Sequence, residues 1–220
     1  MRKAGDLIAE YMREKKLSSN RANPIGQGAF GVVYASDTPG NVMKQTHSSW
    51  RDVGPDLEQE ANMQAIAAEM GIAPRVAGLE IFPGGVGNRI EMADVRDNFE
   101  IHPSPATNSP EGMDAVRVNQ QLGQLALKGV RLEDRHSSNV LYNKMTGRPM
   151  QIDFGVADKM STDQQAAFLA NVTAEGFEAA GIGELGSILR ATVMDYLEGG
   201  QVTEAMDVAK QGFSRLQKIK

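Results

Sequence analysis

Residues Arg131 to Gly155 read RLEDRHSSNVLYNKMTGRPMQIDFG. Asp134 stands five residues before Asn139, and Asn139 fourteen before the triplet Asp153-Phe154-Gly155. The apolar runs Val140-Leu141-Tyr142 and Met150-Gln151-Ile152 flank a stretch, Asn143 to Pro149, that carries Gly147 and Pro149. Short apolar runs bounded by turn residues predict a strand–turn–strand hairpin with an acidic residue delivered at each end.

Phosphoryl transfer needs such a hairpin: one carboxylate near the attacking hydroxyl, and an Asn with a second carboxylate to hold the metal ions that neutralise phosphate. The pattern D-x-x-x-x-N followed by D-F-G resembles the protein-kinase-like superfamily. That resemblance implies ATP with Mg²⁺ or Mn²⁺, Asp134 orienting the acceptor hydroxyl, and Asn139 and Asp153 as metal ligands. Two departures stand out. The usual H-R-D reads Leu132-Glu133-Asp134, so the Arg that senses a phosphorylated loop is replaced by Glu133. His136 follows Asp134 by two positions, and D-R-H-x-x-N with I-D-F-G is similar to the phosphatidylinositol kinases. An imidazole titrates within reach of neutral pH, so His136 is a candidate base beside Asp134, or a hydrogen-bonded structural histidine.

Upstream, Ile25-Gly26-Gln27-Gly28-Ala29-Phe30-Gly31 runs into Val32-Val33-Tyr34-Ala35. A dinucleotide-binding G-x-G-x-x-G leads into a helix, whereas this one leads into a β-branched and aromatic run that predicts a strand. Strand–glycine loop–strand resembles the kinase phosphate lid, which implies nucleotide contacts for Gly26, Gly28 and Gly31 and an adenine contact for Val33. A third strand, Asn41 to Gln45, carries Lys44 after two apolar residues, as in the V-A-I-K motif. Pro55 to Met70 predicts a helix, with Asp56, Glu58 and Glu60 toward its positive end and Gly71 as its stop. Leu57, Met63, Gln64 and Ala67 lie at −3, +3, +4 and +7 from Glu60. Glu60 therefore shares the inward face, and Glu58 does not. By resemblance Glu60 is the partner of Lys44.

Two further strands are expected around Arg75–Phe82 and Arg89–Val95, with Pro83 to Gly87 as a turn. By order along the chain, Met92 and Asp94 fall where kinases join their lobes and bind adenine through backbone groups. Asp97 to Ser109 reads as a loop. A helix capped by Ser109 and Pro110 runs to Lys128, with the stripe Met113, Val116, Gln120, Leu122-Gly123, Leu125-Ala126 packed beneath the hairpin. After Gly155 there is no A-P-E and no long switch segment. Three helices are expected instead, Thr162–Phe177, Gly183–Leu197 and Thr203–Lys218. This shortened end is similar to the minimal kinases of bacterial effectors and phages.

The expected fold is α+β and two-lobed, with an N-terminal helix over 1–20, a small antiparallel sheet lobe over 21–95 and a reduced helical lobe over 96–220. The first helix, with Ala4, Leu7, Ile8, Tyr11 and Met12 at helical spacing, would dock on the sheet lobe or bind a partner protein, as the C-terminal helices could. The 220 residues contain no cysteine, which excludes disulfides and thiolate metal sites. A net charge of −5 gives no electrostatic reason for a nucleic-acid or anionic-membrane partner. The opening residues lack a signal-peptide core and no apolar run reaches membrane-spanning length, so a cytoplasmic protein is expected, with delivery into a host cell as the setting the effector resemblance adds. The acceptor expected first is a protein Ser/Thr. A lipid or small-molecule acceptor is the alternative, and a kinase-like binding module or virion component is the non-enzymatic one.

Overall fold

The computed structural model describes residues 24–27, 31–46, 56–82, 88–101, 112–132, 134 and 137–220. The expected N-terminal helix, Gly28, the Pro83–Gly87 turn, the Ser109–Pro110 cap, Pro55, Glu133 and His136 lie outside them.

The fold is α+β. A five-stranded antiparallel sheet comes first, in the order β1 (Gly26–Gln27), β2 (Gly31–Ala35), β3 (Asn41–Thr46), β5 (Arg89–Ala93), β4 (Val76–Glu80). Directly opposed residues of an antiparallel pair share a face, and Val33, Lys44 and Ile90 are so opposed. Helix α1 (Leu57–Glu69) covers that face through a small cluster of Leu57, Ala61 and Ile90. Its start is set by Asp56, whose side chain accepts from the Glu58 amide at 3.0 Å, so Asp56 is the cap rather than part of the first turn. Its end is a Schellman turn: Gly71 takes φ +68°, and the Gly71 and Ile72 amides close onto the Ala68 and Ala67 carbonyls at 2.9 Å each.

The hairpin is β8 (Val140–Asn143) and β9 (Pro149–Gln151), with Val140 opposite Gln151 and Tyr142 opposite Pro149. Pro149 thus opens a strand instead of closing the turn. The Asn143 side-chain oxygen accepts from the Met145 and Thr146 amides at 3.1 and 2.9 Å, and Gly147 supplies φ +65°. A third strand, β6 (Phe99–Ile101), pairs with β8 inside the stretch expected to be loop. Ladder bonding to the edge of the hairpin outweighs the local Asn and Pro signals there. A two-residue ladder joins β7 (Val130–Arg131) to β10 (Asp158–Lys159).

The remainder is helical: α2 (Gly112–Leu127), α3 (Thr162–Ala179), α4 (Gly183–Glu198) and α5 (Val202–Leu216). On α2, Val116, Leu122, Gly123, Leu125 and Ala126 are buried as the stripe requires, but Met113 is 38% exposed at the first turn. Gln120 faces the end of α5, donating to the Leu216 and Ile219 carbonyls, while its neighbour Gln121 is the one that reaches the hairpin, at the Pro149 carbonyl. One core unites Met63 and Ala67 of α1, Leu122 and Leu125 of α2, Val140 and Tyr142 of the hairpin, Phe154, and Val172 of α3. The helix carrying Glu60 and the hairpin leading to Asp153 are therefore fixed to one apolar block.

Candidate active site

Lys44 is brought in by β3, Glu60 by α1, and Asp153 by the turn that follows β9. Lys44 Nζ lies 2.5 Å from Glu60 Oε1 and 2.8 Å from Asp153 Oδ1. Helical periodicity explains the choice of acid: Glu60 is 2% exposed among Leu57, Met63, Gln64 and Ala67, and Glu58 points to solvent. Burial opposes the Lys44 charge, but the Glu60 and Asp153 carboxylates outweigh it and hold the ammonium's pKa above its ordinary value. Glu60 is pushed up, because burial outweighs the relief from Lys44. Glu60 Oε2 is buried with no hydrogen-bond partner among the described residues.

Asp153 has φ +66°, the single non-glycine residue at positive φ among those described. Such a conformation costs about 1–3 kcal/mol and persists where its surroundings impose it. They do so here. The preceding Ile152 amide bonds the Asn139 carbonyl at 2.8 Å, and Phe154 is completely buried in the core that joins α1 to the hairpin. The Gly155 amide donates back to Asp153 Oδ1 at 3.2 Å. The carboxylate stays partly open, with 27% of its side chain exposed.

Asn139 closes a short 3₁₀ turn, Ser137–Asn139, that leads into β8. Its side-chain amide donates to the Asp134 carbonyl at 3.4 Å, which leaves its oxygen for a ligand. Asp134 is exposed. The Asn139 carbonyl accepts from the Ile152 amide, next to Asp153, so an amide oxygen and a carboxylate, both hard donors, come from adjoining backbone. Among the described residues no three His, Cys, Asp or Glu side chains form a cage. A carboxylate with an amide suits a Mg²⁺ or Mn²⁺ ion that arrives on phosphate and keeps several waters. The donor set fits such an ion.

The glycine loop is described at two of its three glycines. A Cβ on Gly31 would meet the Gln45 carbonyl oxygen at 2.5 Å, so only glycine fits against β3 there, whereas a Cβ on Gly26 meets nothing within 4 Å. Val33 stands beside Lys44 on the same face. Met92 turns its sulfur toward Gln64 Nε2 at 3.5 Å. Asp94 gives its amide to the Gly40 carbonyl at 2.9 Å, and Arg96 forks its carboxylate at 2.9 and 2.6 Å. That hydrogen bonding holds the Asp94 pKa below the usual carboxylate range. The Asp94 amide and carboxylate are thus both engaged within the chain.

Three contributions escaped the sequence pattern. Gln59 Nε2 donates to the Ala157 carbonyl at 2.9 Å, two residues beyond Gly155. Gln121 and Gln151 bond each other at 3.1 Å beneath the hairpin. Arg131 forks Asp158 at 2.9 and 2.6 Å across the β7–β10 ladder. An i, i+1 relation to Glu60 and an Asp shortly after Gly155 were the only local hints.

No family model and no curated protein matches this sequence. Among solved structures the chain is similar to a single-substitution form of the PknI kinase domain of Mycobacterium tuberculosis, at 19% identity over 71% of each chain with a TM-score of 0.47. It is similar also to PK-1, the kinase of the Cydia pomonella granulovirus, at 12% identity over 75% of this chain and 73% of that one, with a TM-score of 0.48. Both proteins are kinases by name, and the case for activity in this chain stands on the side chains described above.

Proposed function

We propose that this protein is an ATP-dependent phosphotransferase, with a protein serine or threonine hydroxyl as its acceptor. The observation that carries the reading is the triad in which buried Lys44 is held by buried Glu60 on one side and reaches Asp153 on the other. Three elements distant in sequence converge to place one cation beside one partly open carboxylate, at the cost of burying charge. A scaffold has no need of that arrangement.

In this reading Gly26, Gly28 and Gly31 let backbone amides approach phosphate, Val33 packs on the adenine, and the segment Met92 to Asp94 borders it. Lys44 contacts the phosphates, and Glu60 keeps its ammonium aimed. Asn139 and Asp153 would hold Mg²⁺ or Mn²⁺, which would neutralise phosphate charge. Asp134 orients the acceptor hydroxyl. As the acceptor oxygen bonds the γ-phosphorus, the bond to the β–γ bridging oxygen breaks, ADP leaves with that oxygen, and the hydroxyl proton passes to Asp134, with His136 as second acceptor.

A lipid or small-molecule acceptor is the second reading. It is favoured by the six residues Val156 to Ser161 that join Gly155 to α3. So short a connection offers little for a peptide to lie against. Incubation of the full chain with γ-labelled ATP and Mg²⁺ or Mn²⁺, with generic protein acceptors in one arm and phosphoinositides and amino-alcohols in another, tests both. Label on protein supports the first acceptor class and label on lipid or small molecule the second. Nucleotide binding without transfer in any arm would leave a kinase-like binding module.

A further inference from the structure

Asp153 is followed by a segment that has almost no freedom. The Ala157 amide donates to the Phe154 carbonyl, and the Met160 amide to the Gly129 carbonyl, each at 2.9 Å. Asp158 and Lys159 pair with Arg131 and Val130 in the β7–β10 ladder. The Ser161 amide bonds the Gln164 side chain at 3.0 Å as α3 begins. Two side-chain contacts then tie this strand to its surroundings: Gln59 from α1 to the Ala157 carbonyl, and the bidentate Arg131–Asp158 pair.

Gln59 and Glu60 are consecutive on α1, so their side chains leave the helix about 100° apart. Glu60 holds Lys44, which reaches Asp153, while Gln59 holds the carbonyl four residues further along the same chain. Helix α1 therefore grips both sides of the Asp153-Phe154-Gly155 turn, and any rotation of the helix must release both grips together. From the other side Arg131 presents a planar fork to a carboxylate that belongs to the chain. Order in such a segment can be imposed by an added phosphate facing an arginine. Here Asp158 supplies the charge permanently.

We infer that Gln59 and the Arg131–Asp158 pair are positioning residues, a built-in latch that keeps Asp153 and α1 in the metal–nucleotide-binding arrangement without any modification of the protein. This rests on the phosphotransferase reading for its kinetic readout, but its binding readout is separate. Releasing the latch lowers the fraction of molecules in the competent arrangement, and apparent affinity falls by that fraction while saturating ligand restores it. The signature is a raised KM for the metal–nucleotide with kcat retained. A contact that merely supported folding would lower kcat through lost folded protein and leave KM alone.

The test uses the full chain and the variants Gln59→Leu, Gln59→Lys, Asp158→Asn and Asp158→Glu. Gln59 is exposed apart from this bond, so its replacement leaves the core intact. Initial rates are measured against Mg·ATP, and binding of Mg²⁺ with a non-hydrolysable ATP analogue is measured by calorimetry, with Asp153→Asn as the inactive reference. Gln59→Leu and Asp158→Asn should each raise KM and the calorimetric Kd about five- to thirtyfold, with kcat within about twofold. Gln59→Lys, which keeps a donor, and Asp158→Glu, which keeps the charge, should recover most of the affinity. Phosphatase treatment of the wild type should change nothing. Unaltered KM and Kd in both loss variants would overturn the latch, as would a wild type that loses affinity on dephosphorylation. Transfer no faster than Asp153→Asn, with Mg-dependent analogue binding intact and weakened by Gln59→Leu, would overturn the phosphotransferase reading and keep the latch. A wild type that does not bind the analogue would overturn both.

Discussion

The sheet part of the molecule and its helical end are built on opposite principles. Under the sheet the apolar contact with α1 is small, Leu57 and Ala61 against Ile90, and beside it lie Lys44 and Glu60, both almost wholly buried. The helical end has a large apolar cluster running from Val116 through Leu169, Phe177 and Val193 to Phe213 and Leu216. Glycines let its helices approach closely: a Cβ on Gly123 would meet the Phe213 ring at 2.1 Å, on Gly176 the Leu216 methyls at 2.6 Å, and on Gly212 the Leu189 methyls at 2.6 Å. Burial of charge costs several kcal/mol per ion before pairing returns it, so the sheet part holds the candidate Lys44–Glu60 pair at the expense of stability. The helical end carries stability and none of the candidate chemistry. Function and folding energy are thus separable in this chain by substitution.

The separation is sharpest at Asp153. Asp153→Asn keeps the shape and the Gly155 amide contact but removes the charge facing Lys44. Transfer should fall by about 10³-fold or more, since an interaction aimed at phosphate charge is worth at least that of a single oxyanion donor. The denaturation midpoint should move little. A variant that is fully active would end the proposed role of Asp153.

Lys44 divides the two effects differently. Lys44→Met should also lose transfer, but it leaves Glu60 buried without its cation, and removing one partner of a buried pair costs about 3–5 kcal/mol. The double variant Lys44→Met with Glu60→Gln should regain most of that stability and none of the activity. Urea unfolding of the three proteins reads this directly. A single variant as stable as wild type would mean that Glu60 is not a buried, paired charge.

In the helical end the opposite variant is Gly123→Ala. Alanine gains about 1 kcal/mol of helix propensity over glycine, yet its methyl would enter the ring of a completely buried Phe213. Overpacking of this kind costs about 1–3 kcal/mol, so a net loss of stability is expected, with kcat per folded molecule unchanged. Adding Phe213→Leu should return part of the loss. A change in KM for ATP in Gly123→Ala would show that the two parts are coupled after all.

What the sequence disclosed follows the range of the physics involved. The hairpin was legible because Asn143 and Gly147 act on their own turn, and the Glu60 face because helical periodicity is local. Met113 failed because the pattern continues into a first turn that the fold leaves exposed. Strand β6 and the β7–β10 ladder are two or three residues long, and their bonds go to partners about 27 to 44 positions away, where no local propensity decides. Gln59 sits on the outward side of α1 and reads as a solvated residue until Ala157 is placed beside it. In the same way Gly123, Gly176 and Gly212 read as weak helix formers until Phe213, Leu216 and Leu189 arrive. Contacts that cross between parts of the chain were the ones that needed the structure.

The smallest effect concerns the hairpin that lies between the two parts. Tyr142 is 7% exposed in the shared core, and burial, with the Asp114 charge adding to it, pushes its phenol from 10.0 up to about 12. In the unfolded chain the phenol ionises near 10, so between pH 10 and about 12 the folded state holds more protons than the unfolded one. Stability must then fall as pH rises through that window. Lys44, whose folded pKa also lies above its ordinary value, acts in the same direction at the alkaline end. Tyr142→Phe removes the phenol's share and leaves that of Lys44. Urea midpoints at about pH 9, 10 and 11 should therefore decline less steeply in Tyr142→Phe than in the wild type, with a persisting decline from the sheet part. Parallel declines in the two proteins would mean that the Tyr142 phenolate is as well hydrated folded as unfolded, and that the core joining the two parts opens to water at the hairpin.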